Sequence, residues 1–382
     1  MSRHGGQRRP PPASRPVSRL ALTLAIASVF FAVSARAQDA PFRIDADAAP
    51  VPRGVLRFGI SADFSYVDQL RLAGGGRAPL GRRLGFDSTT DNVVASAAVA
   101  MTRLPVTLEY GVTRWLSVGV SAPLVRRRVE VSADTNVQLV RTAPRTRLTD
   151  PSALSSFTHT NVGDVDATAR LRLFDTFNGK SPLRFRLAAE GGVRIGTGPS
   201  RRANNMIDPA ASDGQNDLLA SVFADLALGG RWSVSLAGAH TWQRPDRQTV
   251  VSADTVYPSR RIRGSVDRDL GDVTALMVTP RYRLTRYIQL ATAASRVAKT
   301  ADRYSGAEPA DGWGLIAPPV AAFNATRVGV GIVFSTLPNG RSIGPWPVDL
   351  VFEHSRIVHS GGATIPDIRV DRLGGRVYMK LF

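Results

Sequence analysis

Apolar and charged side chains alternate through the stretch LRFRLAAEGGVRI, residues 183–195. One face of an extended chain would carry Leu183, Phe185, Leu187, Ala189, Val193 and Ile195, and the other Arg184, Arg186, Glu190 and Arg194. A soluble β-sandwich would seldom place three arginines on one face of a strand without dense pairing. About 9 to 11 residues with apolar side chains towards lipid and polar ones towards an interior are instead typical of a transmembrane β-strand.

The same period of two recurs along the rest of the chain. Segments that show it lie at 56–64, 103–110, 116–121, 164–173, 232–236, 276–284, 327–334, 348–353 and 372–381. We interpret residues 92–112 as one strand with a bulge at Pro105; two shorter strands are the alternative. The pattern predicts an all-β fold, a transmembrane antiparallel up-and-down β-barrel of about 12 strands. A soluble periplasmic β-sandwich or a two-domain binding protein is the alternative for an exported chain of this length.

Short and long connectors alternate between these segments. The short ones are 113–114, 175–182, 229–231, 285–286 and 337–347; the long, polar ones are 67–91, 134–160, 199–215, 244–271 and 300–324, with a short sixth at 359–366. An even strand number puts both chain ends on the side of the short turns, which is periplasmic in bacterial outer-membrane barrels. Trp115, Trp232, Tyr287 and Trp346 lie at or beside short connectors, where an interfacial aromatic girdle is expected.

The N-terminal residues have the pattern of a cleaved export signal. An arginine-rich leader precedes the apolar stretch 20–33, and Ala35 and Ala37 supply the small residues of a cleavage site. As a retained anchor the stretch is too short to cross about 30 Å of hydrocarbon as a helix. We therefore expect a signal peptide at 1–37, a short periplasmic lead-in at 38–52 and a barrel at 53–382, with no room for a plug domain. The predicted location is the bacterial outer membrane.

Charge and cysteine content limit the possible partners. The chain has 49 basic and 31 acidic residues, and six of the arginines precede residue 38, so the mature chain has 43 against 31, a net charge of +12. Such a balance suits nucleic acid, an acidic lipid surface or an anionic solute, and export argues against nucleic acid. No cysteine is present, which excludes disulfides and Cys-based metal or redox sites.

The inward faces carry more basic than acidic side chains. The candidate solute-contacting residues are Arg170, Arg172, Arg184, Arg186, Arg194, Arg281, Arg283, Arg376, Glu109, Asp166 and Glu190. By the same alternation, further charged residues are assigned to the inward face: Arg57, Arg103, Arg372, Lys380, Asp63, Asp164, Asp225, Asp349 and Glu353. Guanidinium groups bind carboxylates bidentately and keep their charge. These residues predict an anion-preferring channel for small solutes. In the alternative, arginines and carboxylates on neighbouring strands form an ion-pair ladder that closes the lumen.

Signals of catalysis are few. The pairs His354-Ser355 and His359-Ser360 invite comparison with lipid hydrolases, but no Asn-containing motif accompanies them. Asp267, Asp269 and Asp272 lack the spacing of a calcium loop, and residues 179–181 lack the upstream glycine of a phosphate loop. We predict no enzymatic activity, no catalytic or metal-binding residue and no cofactor.

Two resemblances add to this interpretation. Residues 109–123, EYGVTRWLSVGVSAP, followed by VGDVD at 162–166, resemble the pattern of the phenol-degradation meta-pathway family of outer-membrane transporters. The resemblance implies passage of small solutes, often aromatic or organic acids. A terminal Phe382 on an amphipathic strand resembles the signal for the outer-membrane assembly machinery, although Phe382 is out of phase with Leu373, Val377, Met379 and Leu381.

The expected partners are therefore outer-membrane lipid, the assembly machinery and a small-molecule solute. The alternative function is a non-conducting structural or surface-interaction barrel that acts through its long external loops. The sequence does not indicate an oligomeric state.

Overall fold

Twelve antiparallel strands form a closed barrel, which confirms the predicted fold class and strand number. The computed structural model describes residues 43–73, 75–80, 95–133, 156–177, 183–199, 211–212, 214–254, 261–306, 313–315, 320–337 and 347–381. The predicted signal at 1–37, Trp346 and Phe382 lie outside these residues. The wall consists of β1 (Val55–Val67), β4 (Ala95–Gly111), β5 (Leu116–Ala133), β7 (Val165–Asp175), β8 (Arg184–Ile195), β9 (Asp217–Ala227), β10 (Trp232–Gln243), β13 (Val273–Arg283), β14 (Ile288–Lys299), β17 (Phe323–Ser335), β18 (Val348–Gly362) and β20 (Arg369–Lys380).

Each wall strand pairs with the next wall strand along the chain, and β20 pairs with β1 to close the cylinder. We call the end with the five connectors 112–115, 176–183, 228–231, 284–287 and 336–347 the turn end, and the opposite end the loop end. Val55 at the start of β1 pairs with Lys380 at the end of β20, so the wall begins and finishes at the turn end.

Large apolar side chains cover the outward face of the wall. The exposed fraction is 56% for Val330, 59% for Leu373 and 49% for Ile60. Residues on the inward face of the wall, such as Glu353 and Asp225, are buried. An exposed apolar band around a closed barrel is the surface that suits a hydrocarbon solvent. No helix among the described residues is long and apolar enough to cross a membrane.

Strand β4 crosses the whole wall as one element, although the bulge predicted at Pro105 is not found. Its pairing with β5 is continuous, and Pro105 lies opposite Pro123. On the β1 side the pairing skips from Ile60↔Val106 to Asp63↔Arg103, because proline has no N–H to donate to the ladder. Register shifts occur instead at Arg172/Phe174 and at Thr326/Arg327.

The long connectors contain more regular structure than the predicted loops. β6 (Phe157–Val162) pairs with β5 beyond the end of β7. β11 (Asp246–Asp254), β12 (Arg261–Asp269), β15 (Arg303–Gly306) and β16 (Trp313–Leu315) form one small sheet; β2 (Gln69–Arg71), β3 (Arg77–Pro79) and β19 (Ile365–Pro366) form another. Period-two alternation did not reveal them because these strands do not separate lipid from a lumen.

The small sheet of β2, β3 and β19 covers an apolar core at the loop end. Leu70, Leu80, Ile365 and Ile368 from the connectors pack with buried wall residues, which are Val67, Ala97, Val99, Val129, Phe323, Ala325 and Ile357. Val67, Val99 and Val129 are register partners on β1, β4 and β5. The connectors on this side of the barrel therefore fold into its mouth.

Candidate functional site

Ion pairs join neighbouring strands across the inward face. Arg170 on β7 lies opposite Glu190 on β8, with its Nη2 2.8 Å from Glu190 Oε2. Arg194 Nε lies 2.8 Å from Asp166 Oδ1 in the same pair of strands. Arg57 and Glu109 form the equivalent pair between β1 and β4. Direct cross-strand pairing of opposite charges stabilises a sheet and satisfies charges that face away from bulk water.

A second group of charges lies between β1, β18 and β20. Arg372 donates to both carboxylate oxygens of Asp63, at 2.6 and 2.9 Å, and its Nη1 lies 3.5 Å from Glu353 Oε2. All three residues are at least 90% buried. One guanidinium on β20 thus joins carboxylates of both neighbouring strands, β1 and β18.

Four predicted site residues lie at the turn end and engage the turns. Asp175 Oδ2 accepts from Arg172 at 2.9 Å and from Arg186 at 3.2 Å. Arg283 donates to the Gly230 carbonyl at 2.8 Å, and Arg184 donates to the Phe177 carbonyl at 3.4 Å. These side chains share the strand faces of Arg281, Arg170 and Glu190, but each of them donates to a group at the turn end.

Residues 43–52, which we call the inner segment, lie inside the barrel. The sequence predicts a short periplasmic lead-in at residues 38–52. In the part that the structure describes, Ile44, Ala48 and Val51 are 0–1% exposed. Ile44 N–H donates to Glu353 at 3.2 Å, and Ala48 N–H donates to Asp225 at 2.9 Å. The segment therefore fills part of the lumen next to the turn end.

Predicted site arginines hold the inner segment. Arg281 donates to the carbonyl oxygens of Ile44 at 2.8 Å and Ala46 at 2.6 Å. Arg170 donates to the Asp47 carbonyl at 3.0 Å, and Arg376 pairs with Asp45. The hydrogen bonds and ion pairs of the segment thus reach five wall strands, β7, β9, β13, β18 and β20, and Ile44 also packs against β14.

The acidic residues of the inner segment were the available signal for its position. Asp45 and Asp47 stand in a short stretch that was excluded from the barrel, while the inward list held more arginines than carboxylates. Buried guanidinium groups need partners, so acids outside the predicted strands were candidates to supply them. The missing partners came from a segment that shows no period-two pattern.

A cavity of about 230 Å³ lies between the inner segment and the wall. One side is charged, with side chains from the segment, β1, β4, β7 and β8. The other side, from β9, β10, β13 and β14, is mostly apolar and also carries the polar side chains of Ser221, His240, Thr241 and Ser295. The apolar side includes Leu219, Phe223, Ala275, Met277 and Val297. The charged side and its neighbours place six guanidinium groups, of Arg43, Arg57, Arg170, Arg194, Arg327 and Arg376, against five carboxylates, of Asp45, Asp47, Glu109, Asp166 and Glu190.

This arrangement suits a small solute with one polar end and one apolar end. Arg170 is a central residue of the charged side, and its guanidinium lies 4.3 Å from the centroid of the Phe223 ring, which joins the two sides. Cation–π stacking of this kind holds a guanidinium flat beside an aromatic surface. A carboxylate could approach the charged side while an apolar body rests on Phe223 and Met277.

Comparison with solved structures identifies a shared fold. The COG4313 outer membrane channel from Pseudomonas putida F1 is 15% identical, with a TM-score of 0.57 over 87% of this chain and 98% of that chain. The chain shares the barrel fold of that channel. The translocator domain of the autotransporter NalP from Neisseria meningitidis (8% identity, 94% and 97% coverage, TM-score 0.39) and the CymD monoaromatic hydrocarbon channel (10%, 86% and 89%, 0.35) are more distant.

Sequence comparisons give no further assignment. No family model and no curated protein matches the chain. The resemblance of residues 109–123 and 162–166 to the phenol-degradation family therefore stays a prediction. In the structure this motif forms the turn between β4 and β5, with Thr113 Oγ1 accepting from the backbone N–H groups of Trp115 and Leu116.

The residues that invited comparison with hydrolases are separated by the wall. His354 faces outward and its Nδ1 lies 2.7 Å from Asp371 Oδ1, whereas Ser355 is 1% exposed and faces inward. Residues adjacent in a strand point to opposite faces, so the pair cannot act on one substrate. Within the described ranges, no group of three His, Asp or Glu side chains is arranged to hold a metal ion.

Proposed function

We propose that this protein is a bacterial outer-membrane channel for small solutes and that it prefers small organic acids with an apolar or aromatic body. The observation that carries the proposal is the cavity with a charged and an apolar side. Solute sites typically combine a mostly apolar lining with a few placed charges that fix orientation. The resemblance to the phenol-degradation family favours the same class of solute.

The predicted site residues have two roles in this proposal. Arg170, Arg194, Glu109, Asp166 and Glu190 contact the solute from the charged side of the cavity. Arg281 and Arg376, together with Arg170, hold the inner segment across the turn end, and Arg172, Arg184, Arg186 and Arg283 line the rim beyond it. Because the described guanidinium groups around the cavity are balanced by nearly as many carboxylates, we expect the anion preference to be modest.

The inner segment is the gate in this proposal. It is held by hydrogen bonds and ion pairs, which water can replace when the segment moves, and it adds little apolar surface beyond Ile44 and Val51. A solute that enters the cavity leaves through the turn end when the segment is displaced.

The membrane arrangement completes the proposal. Residues 1–37 are a signal peptide that is cleaved near Ala37, residues 38–52 lead into the barrel, and residues 53–382 form it. The turn end faces the periplasm and the loop end faces outward. Assembly uses the C-terminal strand that ends in Phe382.

A non-conducting barrel that acts through its external connectors is the second candidate. The small sheet of β11, β12, β15 and β16 favours it, because four paired strands present a defined surface at the loop end. Both candidates predict the same barrel, so conductance is the property that separates them.

Single-channel recording in planar bilayers tests the proposal. We expect refolded protein to show small, infrequent openings in KCl and to show reversal potentials of weak anion preference under a KCl gradient. Benzoate should reduce the current at millimolar concentration, and cyclohexanol, which lacks the carboxylate, should not. A correctly folded barrel that never conducts, even after removal of residues 43–50, would favour the second candidate.

A further inference from the structure

Two arginines face each other on the outward surface near the loop end. Arg356 on β18 is the direct register partner of Arg369 on β20, and both side chains are exposed. Side chains directly opposite in an antiparallel pair have Cβ atoms about 5 Å apart, and like charges at such positions repel. Among the described residues, neither guanidinium forms an ion pair, and the nearby Asp371 carboxylate is hydrogen-bonded to His354 at 2.7 Å.

The pair belongs to a continuous row across five wall strands, β18, β20, β1, β4 and β5. Arg369 lies opposite Tyr66 on β1, Tyr66 lies opposite Ala100 on β4, and Ala100 lies opposite Arg128 on β5. Arg126, two residues along the same face of β5, is also exposed. Glu130 pairs with Arg128 on this face. Counting Arg126, Arg128, Arg356, Arg369, Glu130 and Asp371, the described row and its flanks hold four guanidinium groups and two carboxylates.

The row lies at the edge of the apolar band. Phe64, Phe352 and Leu373, which face outward on the same strands, are 50–59% exposed. Arg356 is four residues beyond Phe352, a distance of about 13 Å along a strand. Tyr66 is 44% exposed in the row itself, and tyrosine is typical of the level where lipid headgroups begin. The guanidinium groups thus stand at headgroup depth on a surface that contacts lipid.

We propose that this row binds the phosphate groups of the phosphorylated glycolipid in the leaflet at the loop end. A phosphate between Arg356 and Arg369 can accept bidentate hydrogen bonds from both and remove their mutual repulsion. The acyl chains of the same lipid then lie on Phe352, Leu373 and Phe64. The site is independent of solute passage, but it rests on the proposed orientation of the barrel.

Native mass spectrometry of detergent-purified protein with diphosphoryl lipid A tests the proposal. We expect the double variant R356Q/R369Q to bind about tenfold more weakly than wild type, since hydrogen bonds between charged partners are lost. The matched control is R114Q/R231Q, which removes two exposed arginines at the turn end and should leave binding unchanged. R356K/R369K, which keeps the charge but loses the planar fork, should give an intermediate affinity.

Three results would overturn the proposal. The first is equal binding to wild type of lipid A from which the phosphates have been removed. The second is a loss of affinity in the control variant as large as that in R356Q/R369Q. The third is competition by inorganic phosphate alone at the same concentration as the lipid. Heat-modifiable gel migration reports whether each variant has folded, and the single variant R356Q replaces the double one if the latter does not fold. Because lipid binding is measured in detergent, failure here would not bear on conductance.

Discussion

The two ends of the lumen are narrowed by different chemistry. At the loop end, Leu70, Ile365 and Ile368 pack on Val129 and Ile357 in an apolar core. At the turn end, the inner segment is held by Arg281, Arg376, Asp225 and Glu353 through hydrogen bonds and ion pairs. Opening the core would expose apolar surface to water at about 25 cal/mol per Å², whereas polar contacts can be exchanged for water at a small net cost. The difference assigns the movable element to the turn end.

Removal of residues 43–50 should produce the largest functional change. The deletion keeps Val51 and Pro52, which precede β1, but vacates the lumen beside Arg281 and Arg376. We expect single-channel conductance to rise several-fold over wild type in planar bilayers. The matched control is I44A, which shortens one buried side chain and keeps the backbone contacts of the segment; its conductance should stay close to wild type. Equal conductance of wild type and the deletion variant would contradict the assignment.

A substitution in the loop-end core should lower stability without raising conductance. I357A removes a side chain that is 1% exposed in the loop-end core, and such truncations cost about 2–5 kcal/mol of unfolding free energy. Urea unfolding in lipid vesicles, followed by tryptophan fluorescence, measures the loss. V358A on the adjacent outward position, 38% exposed, should cost less. Conductance of I357A should not rise, and a several-fold rise would show that the loop-end core also limits the current.

Loss of Arg281 should open the turn end partially. R281A removes three hydrogen bonds to the carbonyl oxygens of Ile44 and Ala46, each worth about 1.5–3 kcal/mol when the donor is charged. Open probability should rise, but less than in the deletion variant. R283A is the matched control, since Arg283 lies two residues away on the same face and bonds the Gly230 carbonyl instead. Identical open probabilities of R281A and R283A would mean that the segment is held by other contacts.

Charge changes in the cavity should have the smallest effect. R170Q leaves Glu190 without its partner, so reversal potentials in a KCl gradient should shift towards cation preference. E190Q should shift them towards anion preference, and the double variant R170Q/E190Q should return close to wild type because the pair is removed together. Shifts of the same sign in both single variants would contradict a role of this pair in selectivity.

The sequence predicted the wall better than the interior. Alternation in a stretch such as 183–195 reports two different environments across one strand, which is a local property of the chain. Arg170 and Glu190 could be assigned to the inward face in this way, but their mutual pairing depends on the register of β7 and β8. Register follows from the turn and from contacts distant in sequence. The alternation therefore predicts which face of the sheet a side chain occupies, but not which residue it pairs with.

The inner segment and the loop-end core were missed for the same reason. Ile44 contacts Glu353, which is 309 positions away in the chain, and Leu70 shares a core with Ile368. Neither contact leaves a periodic pattern in the sequence. The prediction of a bulge at Pro105 was wrong for a different reason. Proline can occupy a strand without a register shift when pairing with one neighbouring strand is interrupted beside it.

A reducible cross-link between the inner segment and the wall tests the central claim most directly. The natural chain has no cysteine, and Ile44 packs with Ala291 of β14 in one buried cluster, so I44C/A291C provides a unique pair of thiols. We predict that the cross-linked protein is silent in planar bilayers and that reduction of the same sample restores wild-type openings. Equal conductance before and after reduction, with cross-linking verified by mass spectrometry, would show that solutes do not pass by displacement of the inner segment.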